Sequence, residues 1–464
     1  MFPKEIYINR RKELKSKLNK GIGFFPGNTD VPFNYGANIY RFRQDSSFLY
    51  YFGIDKPNLN AVIDFESGKE IIFGNEITHE DIIWMGSQPE LAGTAQKAGV
   101  NEIRPLYKLD ELIKENLSQG RQIHYLPPYR NHTKILLHNM LGIAFDKLSS
   151  ESSLPMTQAV IDQRAIKDEL EIKEIDKAVD VAYLMHTTAM KMAREGVKEQ
   201  EIAGTVEGIA LAHGGPVSFP IILSKNGQIL HNHNHENYLK NGDLMLMDGG
   251  AEISSNYPSD ITRTTPVGGK FSQRQKEIYE IVLKANMNVA ENIKPGILYK
   301  DMHLLAAKTV AQGLTDLGIM KGNPEEAVRQ GAHALFMPHG LGHMMGLDVH
   351  DTEGLGEDLV GYDKTVKRSN QFGLAYLRLA KELKPGNVLT DEPGIYFIPE
   401  LTKLWKSEKR FTDFINYDKA ESYLDFGGIR LEDDILVTKT GNRVLGKPIP
   451  KEVKDVEEIA GTGL

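Results

Sequence analysis

Five side chains in the C-terminal half of this 464-residue chain could together hold two divalent cations. They are Asp248 in LMLMDGGAE, Asp260 in YPSDITRT, His343 in MPHGLGHMMGLDVHD, Glu392 in LTDEPGIYF and Glu432 in GGIRLEDD. Four carboxylates and one imidazole suit manganese, cobalt or iron, and zinc less exclusively. Two such ions a few ångströms apart can activate water and aim it at a carbonyl carbon, so the set reads as that of a two-metal hydrolase. No member of the set is persuasive alone. Asp248 follows the apolar run LMLM, where an unpaired carboxylate is costly, yet Asp before Gly is also a common turn signal. Asp260 could merely cap a turn, and Glu392 in Glu-Pro-Gly could be a plain one.

The histidines carry more. His339, His343 and His350 fall within one glycine-rich stretch. The HxxxH spacing of the first two is not that of a zincin, because Gly340 stands where the catalytic Glu is required. Pro338, Gly340, Gly342 and Gly346 also argue against a continuous helix. Three histidines in such a segment exceed what core packing calls for, and a functional cluster is expected. Arg430 and Glu432 alternate with Ile429 and Leu431, which places both on one strand face. Arg430 there either forms a structural ion pair or orients the carboxylate. His231, His233 and His235 alternate likewise, and for His233 and His235 a solvated strand edge is expected.

These residues need elements to hold them. The runs SFPIILSKNGQILH, DLMLMDGG, NVLTDEPGIYF and GGIRLEDDILVT read as strands, and ligands on strands of one sheet would be held rigidly. A long helix is predicted from Asp168, where Asp168 and Glu171 have the spacing of a capping box. Leu170, Ile175, Val179, Met185 and Met192 form its apolar stripe, with core packing the expected role. A second helix follows Gly196. The layout returns about a hundred residues later, with helices over 273–293 and 300–317 around Pro295-Gly296, which hints at an internal duplication. In the N-terminal part, residues 5–20 read as a surface helix, and SSFLYYFGI, NAVIDF and EIIFG read as β-prone runs. The serine-rich stretch 148–156 is the best linker candidate. An α/β two-domain chain results, as its length also implies.

The formal charge of −8 without a basic run gives no nucleic-acid footprint. Absence of cysteine excludes disulfides, thiolate metal sites and a Cys nucleophile. The first residues lack the apolar core of a signal peptide, and no stretch is apolar enough to span a membrane. A cytoplasmic protein is expected, with no nucleic acid and no membrane among its partners.

Taken together, MDGGAE…SDITRT…HGLGHMMGLDVHD…DEPGIYF…GIRLEDD resembles the pita-bread metallopeptidases, and within them the aminopeptidase P and prolidase group. FRQDSSFLYYFGI resembles that group's N-terminal domain, and RAIKDELEI the entry to its catalytic domain. IKPGILYKDMH, FMPHGLGH and the insert between IYFIPE and DFGGIRLEDD are closest to prolidases of the eukaryotic type. The resemblance implies an N-terminal α/β domain of ribonuclease-H-like (creatinase N-terminal) type over 1–150. It also implies an α+β pita-bread catalytic domain over 165–464.

The resemblance further makes Asp248, Asp260, His343, Glu392 and Glu432 the ligands of two metals, manganese being usual. Asp260 and Glu432 would bridge, Asp248 would hold one ion, and His343 with Glu392 the other. His231, His339 and His350 match catalytic and substrate-binding histidines, and Arg430 the arginine beside the last ligand. Arg378, in YLRLAKELKPG, matches a prolidase arginine that receives a dipeptide's free carboxylate, although LRLAKELK also reads as an ordinary amphipathic helix. The implied activity is hydrolysis of the Xaa-Pro bond of proline-containing peptides by a homodimer, with Xaa-Pro dipeptides favoured. Cleavage of longer peptides by an Xaa-Pro aminopeptidase is the alternative, and a non-catalytic pita-bread binding protein a remote one. In the implied mechanism Glu392 shuttles a proton to the leaving nitrogen, while His339 and His350 stabilise the oxyanion or fix the substrate. Trp84 resembles a prolidase tryptophan that reaches a neighbouring active site. Two departures stand out: the Asp248–Asp260 interval is one residue longer than usual, implying a bulge or longer turn, and Val217 stands where a tyrosine is usual.

Overall fold

The protein is described by a computed structural model covering residues 2–463. It divides into two compact units, Met1–Arg164 with Gly354–Gly356, and Ala165–Glu353 with Glu357–Leu464. The α/β two-domain class expected from the element pattern is the one observed.

The first unit is built on a five-stranded sheet. In spatial order its strands are Glu102–Arg104, Glu70–Phe73, Asn60–Asp64, Ile22–Pro26 and Ile123–His124. The inner pairs are antiparallel and the two outer pairs parallel, a mixed sheet. The apolar runs IGFF, NAVI and IIF are buried on both faces, because helices such as Lys108–Ser118 and Asn131–Leu141 pack Leu109, Ile113 and Leu137 against Phe24, Val62 and Phe73. Two expectations fail here. SSFLYYF is a helix, Ser46–Phe52, because the Asp45 carboxylate accepts a hydrogen bond from the Phe48 amide and caps it. The serine-rich stretch at 148–156 is no free linker. Leu148 is fully buried, the Tyr125 hydroxyl donates to its carbonyl (2.9 Å), and the helix Leu154–Ala165 begins inside the stretch.

The second unit repeats one plan twice. Helices Glu169–Met192 and Glu199–Ala212 accompany the antiparallel sheet Ile222–Ser224, Leu244–Asp248, Thr262–Pro266. Helices Gln273–Asn292 and Tyr299–Asp316 accompany the sheet Val388–Asp391, Asp433–Val437, Asn442–Val444. The duplication hinted at by sequence is visible bond by bond. The turn between each helix pair carries a glycine in left-handed conformation, Gly196 (φ 82°) and Gly296 (φ 86°). Gly196 donates to the Leu239 carbonyl and Leu239 back to Val197; Gly296 donates to Leu383 and Leu383 back to Ile297. The predicted capping box is present, with the Asp168 carboxylate accepting from Leu170 and Glu171 amides and Glu171 reaching back to the Asp168 amide. Ile175, Val179 and Met185 of the helix stripe are core residues, and Leu170 and Met192 are half-buried.

His303, on Tyr299–Asp316, and His333, in the turn Ala332–Leu335, lie with ring centroids 6.2 Å apart and are fully buried. No ring nitrogen of either finds a hydrogen-bond partner among the described residues. Burial pushes His303 down to about 3 and His333 to about 4, so both are neutral in the native state. An unfolded histidine binds protons below about pH 6.5, which the native pair refuses. Stability contributed by the neutral pair is therefore complete above that pH and lost as pH falls, by about 1.4 kcal/mol per pH unit for each ring. Replacing His333 by Leu should flatten the acid limb of a Tm-against-pH curve between pH 6.5 and 4.5. An unchanged slope would show that the ring titrates normally.

Candidate metal centre

Asp248 ends the central strand of the first sheet, opposite Ile222 on one side and Thr262 on the other. The ladder from Asp248↔Thr262 to Leu244↔Pro266 runs without a register shift. The longer Asp248–Asp260 interval is thus absorbed in the turn rather than a bulge, where Asn256 takes a positive φ of 65° and Ile253 donates to the Tyr257 carbonyl. Asp260 is fixed by its amide, which donates to the Asp434 carboxylate (3.0 Å). The Glu432 amide donates to the Thr262 carbonyl (3.0 Å), and the Thr262 hydroxyl donates to Glu432 Oε2 (2.6 Å). The second half supplies the rest. The Thr390 amide donates to the His343 carbonyl and the His343 amide to the Thr390 hydroxyl, and Gly342 permits that approach, since a Cβ there would lie 2.1 Å from the Thr390 carbonyl oxygen. The Glu392 amide donates to the Leu341 carbonyl (2.9 Å).

The five residues therefore come from strand ends of three small sheets and one loop, not from strands of a single sheet as expected. Side chains alternate along a strand, so convergence on one point is reached more readily from the ends of several. Ligand atoms of Asp260, His343 and Glu432 all lie within 4.8 Å of one another, with His343 Nε2 3.3 Å from Asp260 Oδ2. His343 Nδ1–H donates to the Met344 carbonyl (3.1 Å), and Nε2 faces the carboxylates. Asp248 and Glu392 stand outside this triad but line the same cleft of about 640 Å³. Asp248 Oδ2 accepts from Arg430 (2.6 Å), while its buried Oδ1 has no hydrogen-bond donor among the described residues.

Electrostatics favour a cation here. Burial and the Asp248 charge hold Asp260 well above the usual carboxylate range, and burial with Asp260 does the same for Glu432. Burial, opposed by His343 and Arg430, pushes Glu392 up to about 7. A lone pair with no donor, an imidazole nitrogen turned inward and three carboxylates that resist ionisation fit a site for divalent metal.

His231, His339, His350, Arg378 and Arg430 line the same cleft. Arg430 is buried, bonding Asp248, the Thr262 hydroxyl (3.1 Å) and the Tyr396 hydroxyl (3.0 Å). His339 uses both nitrogens: Nδ1–H donates to the Gly340 carbonyl (2.7 Å), and Nε2 accepts from the Tyr396 hydroxyl (2.9 Å). His350 Nδ1 is 3.2 Å from Glu353. Arg378 is not on a helix. It lies between buried Leu377 and Leu379, past the turn Leu374–Tyr376, and binds Glu353 (2.5 Å). His235 is tied to the Leu223 carbonyl (2.9 Å) and does not line the cleft, but His233 does line it. Val217 bridges Ala251 and packs on the core, away from the cleft wall. Sequence reasoning missed Thr262, Glu353 and Tyr396. Glu353 had one available signal, its three-residue spacing from His350.

The Metallopeptidase family M24 profile matches residues 173–439, and the Aminopeptidase P, N-terminal domain profile matches residues 7–124. A probable Xaa-Pro aminopeptidase of Fusarium vanettenii is 33% identical over 423 residues, 90% of this chain and 87% of the relative. The Xaa-Pro dipeptidase of Homo sapiens is 31% identical over 427 residues, covering 90% of this chain and 84% of that protein. The structure of E. coli aminopeptidase P with the inhibitor Pro-Leu superposes with a TM-score of 0.80 at 28% identity, over 99% of this chain and 98% of the other.

Carboxylates that hold protons must release them to bind a cation. Below about pH 7 the metal-free protein keeps Glu392 protonated, so cation affinity falls as pH falls. Calorimetric titration with Mn²⁺ in two buffers of different ionisation enthalpy should show release of about one proton or more at pH 6 and tighter binding at pH 8. Equal affinity at both pH values without proton release would contradict the electrostatics described.

Proposed function

Because the chain belongs to metallopeptidase family M24, we propose that this hydrolase cleaves the peptide bond before proline with two manganese ions, and that it favours Xaa-Pro dipeptides. The observation that carries the reading is the convergence of Asp260, His343 and Glu432 on one point, flanked by Asp248 and Glu392 in one cleft. Asp260 and Glu432 would serve both ions, Asp248 one of them, and His343 with Glu392 the other. When bound, the ions supply Lewis acidity and a water of lowered pKa.

The chain's own groups do the remainder. Glu392 lines the cleft beside the other carboxylates and would pass a proton to the leaving proline nitrogen. An Xaa-Pro amide has no N–H, so recognition falls to shape and to the far end of the substrate. Apolar walls from Phe219, Val349 and Phe372 suit a pyrrolidine ring. His339 has both nitrogens engaged and acts by holding Tyr396, whereas His350, anchored through Nδ1 and lining the cleft, would fix substrate. His231 is exposed at the cleft and is placed to meet substrate as it enters. Arg378 receives the dipeptide's carboxylate. One observation favours the second reading, an aminopeptidase acting on longer peptides: Arg378 already has a carboxylate partner.

A cytoplasmic homodimer completes the proposal. No helix among the described residues is long and apolar enough to cross a membrane, and Ile83, Trp84 and Met85 form an exposed apolar face on the helix His79–Met85.

A charge-assisted contact of this kind is worth upwards of about 1.5 kcal/mol, or roughly tenfold. Wild type should hydrolyse Xaa-Pro faster than Xaa-Pro-Xaa, and Arg378→Ala should abolish the difference. Faster tripeptide cleavage by wild type, unchanged in the variant, moves the assignment to an aminopeptidase. Full activity after exhaustive chelation would remove the metal reading altogether.

A further inference from the structure

Glu353 does not line the cleft, yet it holds two residues that do. Its side chain is 9% exposed. One oxygen, Oε2, accepts from Arg378 Nη1 at 2.5 Å and lies 3.2 Å from His350 Nδ1. A second carboxylate, Glu357 Oε2, stands 3.6 Å from the same Arg378 nitrogen. Glu357 is also bonded by Arg368, which shares itself with Asp358 (2.7 Å). Arg378 is thus met by two carboxylates, Glu353 and Glu357, so its charge is already balanced before any ligand enters. Burial works to raise Glu353, but the His350 hydrogen bond and the Arg378 charge bring it below the usual range, so it is ionised at neutral pH.

An incoming carboxylate at Arg378 therefore gains the arginine's attraction less the repulsion of Glu353. An amide at that position, as in a longer peptide, meets no repulsion and still finds N–H donors. We infer that Glu353 is a specificity-determining positioning residue, a built-in counter-ion that narrows the advantage of a free proline carboxylate and lets the cleft accept Xaa-Pro units with a blocked C-terminus. The inference rests on Arg378 receiving the carboxylate.

The test compares Ala-Pro with Ala-Pro-amide, which differ at the terminus by one charge. Glu353→Gln keeps size and acceptor capacity but removes that charge, and Glu353→Asp retains it. Glu353→Gln should raise the kcat/KM ratio of acid to amide by about tenfold, chiefly through KM for Ala-Pro, and Glu353→Asp should stay near wild type. A ratio unmoved or lowered by Glu353→Gln, while Arg378→Ala lowers it, overturns the inference and leaves the carboxylate reading standing. A ratio unmoved by Arg378→Ala removes that reading itself, and the inference with it. Should Glu353→Gln not fold, wild type decides through inhibition by acetyl-proline against acetyl-prolinamide. A masked Arg378 gives inhibition constants within about tenfold of each other, and a larger gap overturns the inference.

Discussion

The catalytic half is organised around like charges that water cannot separate. Asp248, Asp260, Glu392 and Glu432 share one cleft with one buried guanidinium, that of Arg430. Left alone, such a set takes up protons or opens, because each ionised carboxylate raises the cost of the next. Backbone bonds hold it closed: the Asp260 amide on Asp434, the Glu432 amide on Thr262 and the Glu392 amide on Leu341. Neighbouring Glu432 and Asp433 show what decides an acid's fate. Asp433 points away and is met by Arg263 and Lys451, both at 2.6 Å, so it ionises far more easily than usual. Glu432 points into the cleft, meets other carboxylates and resists ionisation. Adjacent positions on one chain thus meet opposite surroundings, one neutralised by cations of the protein and one left among carboxylates, separated by the alternation of strand side chains.

The duplicated plan explains where this crowding sits. Each half presents a short antiparallel sheet behind a helix pair, and the Thr262↔Glu432 bridge joins the two. A carboxylate at a strand end projects beyond its own sheet, so the junction is where ends from both halves meet. Thr262 serves this junction twice, pairing backbone to backbone with Glu432 and using its hydroxyl to orient both Glu432 and Arg430.

Much of this was legible in the sequence. The four cleft acids and their imidazole, the capped helix at Asp168, the paired helices with their glycine turns and the apolar strand runs all follow from residue type and spacing. The misses have physical reasons. SSFLYYF has the aromatic content of a strand, and the Asp45 cap that makes it a helix precedes the run rather than lying in it. Nothing in LEDD separates Glu432 from the two acids that follow it, and only the third dimension shows Arg263 and Lys451 claiming Asp433. Glu353 and Tyr396 act through other side chains, a relation that exists only once the chain has folded. Of the buried pair, His303 ends the run IKPGILYKDMH, and His333 lies outside every motif.

A carboxylate cluster of this kind should hold two cations. Anomalous diffraction from crystals soaked in Mn²⁺ tests it without recourse to activity. The account predicts two manganese peaks within about 4 Å of each other, with Asp260 and Glu432 between them. A single peak, or peaks away from these residues, would contradict it.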